Sequence, residues 1–80
     1  MESLFYGQSA CLGRPVCYYL LWQETEPKGY GVQILYNGEL KTIPAISTRM
    51  ERVTALLERM VRCAVTPVNA LEVVEDWLLA

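Results

Sequence analysis

The chain has 80 residues, 52% of them hydrophobic and none of them histidine, with seven Lys and Arg against nine Asp and Glu for a net charge of −2. That is the size of one small domain, residues 1–80. The missing imidazole removes Ser–His and Cys–His nucleophile pairs and every histidine metal site, and the scarcity of basic residues argues against a phosphate-backbone binder.

The longest apolar run, Val16–Trp22, is far short of the roughly 20 residues of a membrane span. Glu2 stands where a secretory leader would carry Lys or Arg. Three cysteines, Cys11, Cys17 and Cys63, make an odd number without paired spacing. They read as buried thiols of a cytoplasmic protein. Neither metal nor cofactor is implied.

Residues 1–16 read as a weak strand or arm, with a turn at Gly13-Arg14-Pro15. Residues 17–46 read as a β-meander. Its first strand, within 16–25, is apolar on both faces and rich in aromatics, the pattern of a central strand. A turn follows at Glu26–Gly29, and residues 30–36 place Tyr30, Val32, Ile34 and Tyr36 on one face. Asn37-Gly38 is a hairpin signal with two registers. A two-residue turn sets Ile34 opposite Lys41 and Val32 opposite Ile43. A three-residue loop with a glycine bulge sets Ile34 opposite Leu40 and Val32 opposite Thr42. The second is preferred because it keeps Lys41 off the apolar face. Pro44 marks residues 39–46 as an edge strand.

Thr48-Arg49-Met50-Glu51 has the form of a capping box and opens a helix over 48–64. Met50, Val53, Leu56, Leu57, Met60, Val61 and Ala64 share its apolar face. Thr66 and Pro67 fit the N-cap and first position of a second helix over 67–79, with Leu71, Val74, Trp77 and Leu78 on its apolar arc together with Ala70 and Val73. The short link makes the helices antiparallel. The expected architecture is α+β: an antiparallel meander of three or four strands followed by two antiparallel helices on one sheet face.

Glu72, Glu75 and Asp76 cluster on the second helix and form a possible acidic contact. Acids near a helix C-terminus oppose the macrodipole, so Glu75 or Asp76 is expected to pair with Arg49 or Arg52 at the start of the first helix. The helices cover only one sheet face, and the other keeps apolar residues whichever way residues 16–25 are turned. Tyr18, Tyr19, Trp22 and Tyr36 are the candidate interface anchors on that second face. The expected function is a non-enzymatic protein-interaction module, a homodimer or a small adaptor or regulator. The alternative is a small-molecule sensor with an apolar pocket between sheet and helices.

Several segments carry a family likeness: Cys17-Tyr18-Tyr19-Leu20-Leu21, Tyr30-Gly31-Val32, Asn37-Gly38-Glu39, Ile46-Ser47-Thr48, Val65-Thr66-Pro67 and Val73-Val74-Glu75-Asp76-Trp77-Leu78. From about residue 17 onward the chain resembles a family of short bacterial proteins, mainly from anaerobic Gram-positive organisms, known as a domain of unknown function. The resemblance implies a stand-alone cytoplasmic protein and brings no catalytic residues.

Overall fold

In the computed structural model, which describes residues 1–26 and 28–79, four strands precede two helices: β1 (Glu2–Cys11), β2 (Arg14–Gln23), β3 (Gly29–Tyr36), β4 (Glu39–Ser47), α1 (Met50–Cys63) and α2 (Ala70–Leu79). The strands form one antiparallel sheet in the order β1-β2-β3-β4. The apolar β2 is central and the proline-bearing β4 is an edge, as their compositions require. The expected turn over Glu26–Gly29 contains Pro27, which lies outside the described residues.

Both hairpin turns depart from the expectation. The first lies at Leu12-Gly13, with both residues left-handed (φ 52° and 77°) and Cys11 opposite Arg14; Arg14 and Pro15 already belong to β2. The second is the two-residue turn rather than the bulged loop. Asn37 and Gly38 are both left-handed (φ 51° and 82°), Tyr36 faces Glu39, and Ile34 faces Lys41. Two successive positive φ angles define the turn whose twist matches that of paired strands. Lys41 is tolerated beside Ile34 because it sits half-exposed on the edge strand, where a lysine stem can be covered while its ammonium stays in water. The two hairpin ends are joined by Arg14 Nη1, which donates to Asn37 Oδ1 at 2.8 Å.

The helices also start differently. Arg49, in extended conformation, precedes α1, and no side chain caps the first turn. The Thr48 capping box does not form. Ser47 Oγ accepts from the Arg49 N–H at 3.1 Å, while Arg49 Nε donates to Glu51 at 2.9 Å. With the helix beginning later, Glu51 comes too early in it for the box. Its carboxyl is held below its usual range, first by its own backbone N–H and then by Arg49.

Helix α1 ends in a Schellman turn. Ala64 is left-handed (φ 51°), and the Val65 N–H reaches the Met60 carbonyl at 3.1 Å. Residues 67–69 then form a turn rather than helix, so the link is longer than expected. Asn69 Oδ1 accepts from the Thr66 N–H (3.0 Å) and hydroxyl (3.2 Å). The Asn69 carbonyl receives the first α2 bond, from Val73, at 3.1 Å.

The core lies between the helices and one sheet face. Val16, Tyr18 and Leu20 of β2 and Val32 and Ile34 of β3 meet Val53, Leu56, Leu57 and Met60 of α1, with Val65, Ala70 and Val74 closing it. Met50 is exposed rather than inward. Helix α2 is turned so that Val73 and Trp77 pack on the core while Leu71 and Leu78 face out. The Tyr18 hydroxyl donates to the buried Val65 carbonyl at 2.6 Å, tying the link between the helices to the middle of the sheet.

Gly31 admits no side chain, because an added Cβ would overlap the Ile43 carbonyl and lie 2.7 Å from Pro44 Cα. Gly31→Ala is therefore expected to cost about 1–3 kcal/mol in urea denaturation. Leu12→Asn is expected to stabilise by about 1 kcal/mol in the same assay, because Asn tolerates the left-handed conformation that penalises Leu.

Candidate functional site: the open face of the sheet

Strand alternation sorts every residue of β2 and β3 to one side or the other. Three cross-strand rows build the face away from the helices. One is Ser3–Leu21–Gly31. The next is Phe5–Tyr19–Gln33–Thr42. The third is Gln8–Cys17–Leu35–Leu40. None of these rows contains an acidic or basic residue. Phe5 is 53% exposed, Leu35 37% and Leu40 56%. Phe5 and Tyr19 stack edge-to-face, with ring centroids 5.7 Å apart at 77°, and Gln33 Nε2 donates to Thr42 Oγ1 at 3.0 Å. Neutral polar groups thus separate apolar ones on a surface that is aromatic on its β1–β2 side and aliphatic on its β3–β4 side, with Leu21 buried.

Of the four candidate anchors, only Tyr19 lies on this face. Tyr18 is 0% exposed beneath the helices, and Trp22 and Tyr36 pack against the same core. The alternation that sends Tyr19 out sends residues 18 and 22 in. Tyr36 is opposite Val16 and donates its hydroxyl to the Cys11 carbonyl at 3.1 Å. Its pKa is raised, chiefly by hydrogen bonding with the Cys11 side chain and next by burial. Phe5, Leu35 and Leu40 are exposed members of this face that the aromatic content of residues 16–36 does not single out. The alternating pattern of residues 30–36 already put Leu35 opposite Ile34, so that strand carried a usable signal.

The acidic cluster lies on α2, and none of its carboxylates forms an ion pair with Arg49 or Arg52. Glu72, Glu75 and Asp76 are exposed. Among the described residues the ion pair is Arg49–Glu51, and Arg52 lies over the Trp77 ring at 4.8 Å. Arg52 therefore meets α2 through an aromatic face, a contact worth about 0.5–1 kcal/mol at exposed sites, and not through a carboxylate. This contact also sets the first turn of α1 beside the last turn of α2, so the helices are antiparallel. All three cysteines are free thiols. Cys11 and Cys17 are half-buried, whereas Cys63 is exposed instead of buried.

Surface clefts lie at the rim of the sheet. One of about 630 Å³ opens between Trp22, Gln23, Lys28, Tyr30 and Thr48. Another of about 500 Å³ runs beside β1 along α1. Among the described residues no helix is long and apolar enough to cross a membrane.

The geometry defines a two-layer α+β domain with one covered sheet face and one open, charge-free face. The chain belongs to a family of unknown function, DUF6514, whose sequence pattern matches residues 8–80. The match thus includes the last four residues of β1 as well as the segments from residue 17 onward. No curated protein and no solved structure matches the chain.

Burial raises the Tyr18 pKa to about 12 from the ordinary 10.0, with smaller contributions from the three cysteines. A phenol harder to ionise in the folded state stabilises fully below pH ~10, and that contribution is lost as pH rises towards ~12, because the unfolded chain ionises first. Denaturation midpoints are expected to fall across this window, and less so in Tyr18→Phe. At neutral pH the same variant should lose about 1–3 kcal/mol, because the Val65 carbonyl is left buried without its donor.

Proposed function

We propose that this chain is a non-enzymatic interaction module of the bacterial cytoplasm, an adaptor or regulator that binds a protein through the open face of its sheet. The observation that carries this reading is the set of three uncharged rows with Phe5, Leu35 and Leu40 exposed among them. The centres of protein interfaces are depleted in charge and enriched in aromatics. The rows carry no Lys or Arg to accompany stacked bases, which disfavours nucleic acid. The three free thiols support a reducing compartment, and the likeness to short bacterial proteins supports the source.

The test is native mass spectrometry of tagged chain captured from its source cells, repeated with Tyr19→Ala, Leu35→Ala and Leu40→Ala. A stoichiometric protein on the wild type is expected, with at least one variant weakened by more than about 1 kcal/mol, roughly fivefold in affinity. Equal recovery by all three variants would remove the open face as the contact surface.

A further inference from the structure

The two edges of the sheet are unequally protected. Along β4, Pro44 offers no N–H, Ala45 is left-handed (φ 54°), and the register breaks between Ile43 and Ser47. Glu39 and Lys41 add charge to the same strand. These are the devices that keep edge strands from pairing with other chains. Strand β1 has ten residues, no Lys, Arg or Pro, and a single charge, Glu2, at its start. Its only irregularity is the bulge at Tyr6. One side of β1 is bonded to β2, and the other presents backbone groups to solvent with Leu4, Phe5 and Tyr6 exposed beside them.

Helix α1 runs alongside this edge. Gly7 lets it approach, since a Cβ there would lie 3.2 Å from Val61 Cγ2. The groove so formed is lined by Tyr6, Gly7, Gln8, Glu58, Val61 and Arg62. Glu58 and Arg62 are one helical turn apart in the orientation that favours an intrahelical pair. Yet the ion pair among the described residues is Arg49–Glu51, so both charges remain available at the groove.

We propose that two copies of this chain pair antiparallel through β1, across a two-fold axis near Gly7, to form one continuous eight-stranded sheet. Three features select a second copy as the occupant. An antiparallel edge paired across a two-fold axis is complementary to itself. The axis carries the two Glu2 residues to opposite ends of the paired strands, so the only charges on β1 do not meet. It also reverses α1, bringing Glu58 of each copy towards the second copy's Arg62, so that the charges along the groove are matched twice. An axis perpendicular to the sheet leaves both open faces on one side of the assembly, giving a divalent platform whose second contact gains from the first. The dimer does not depend on the open face being a binding site.

Sedimentation equilibrium over a wide concentration range tests the pairing, with circular dichroism confirming that each variant is folded. The wild type is expected to dimerise. Tyr6→Lys/Gln8→Lys, which sets like charges opposite one another at the axis, is expected to be monomeric. Glu58→Arg and Arg62→Glu are each expected to weaken dimerisation about fivefold or more, and the double exchange Glu58→Arg/Arg62→Glu to restore it. Leu40→Glu, on the open face, is expected to leave the dimer intact. A wild type that stays monomeric, a double exchange that fails to rescue, or a dimer lost in Leu40→Glu would overturn the proposal. The last result would move self-association to the open face.

Discussion

The fold turns on where Tyr18 points. Its ring fills the middle of the core and its hydroxyl donates to the Val65 carbonyl, a group turned inward where the chain passes from one helix to the next. A buried carbonyl without a donor is costly, and the phenol reaches it from the centre of the sheet. That bond fastens the link between the helices to β2, so the helices settle on the face that Tyr18 occupies. Once residue 18 is inward, alternation places residues 16, 20 and 22 inward with it and leaves Cys17 and Tyr19 on the far side. The uncharged open face is a direct result of that choice.

The helices contribute unequally to the covered face. Helix α1 buries four large apolar side chains, whereas α2 buries only Ala70 and Val74 and leaves Leu71 and Leu78 in solvent. Helix α2 ends with Glu75 and Asp76 close to its C-terminus, where negative charge is unfavourable by about 0.3–1 kcal/mol. Arg52 over Trp77 brings a positive charge to that end and packs the ring at the same time. One arginine thus offsets the helix dipole and closes the weaker of the two helix contacts, without a direct carboxylate partner.

The open face and the β1 edge suit different contacts. The face offers side chains, neutral and partly aromatic, to another surface; the edge offers backbone to another strand. The same feature makes both available: all helical mass lies on one side of a four-stranded sheet, and β4 carries the proline and charges that blunt an edge, whereas β1 has only Glu2 at its start and the bulge at Tyr6. Gly7 contributes by letting α1 come down beside β1, which turns a bare edge into a groove with Glu58 and Arg62 along it.

Element types and their order could be read from residue pattern alone, because the aromatic, two-faced run at 16–25, the alternation at 30–36, Asn37-Gly38 and the helical spacing from 50 to 61 each report a local preference. Pro44 marked the edge strand for the same kind of reason. What local pattern left open was every choice between near-equal alternatives. Residues 16–25 are apolar on both faces, so nothing short of helix docking could say that Tyr18 is core and Tyr19 surface. Avoiding Lys41 favoured the bulged loop, but an edge strand leaves that lysine in reach of water, and the two left-handed residues set the register. The Thr48 box gave way to Ser47 and Arg49 because β4 runs to Ser47 and delays the helix. The sequence by itself determined four strands or three, two helices and an apolar surplus, since those follow from spacing and turn chemistry. Which face stays open, which edge stays bare and which charges meet were decided only by tertiary packing, because they depend on contacts between residues far apart in the chain.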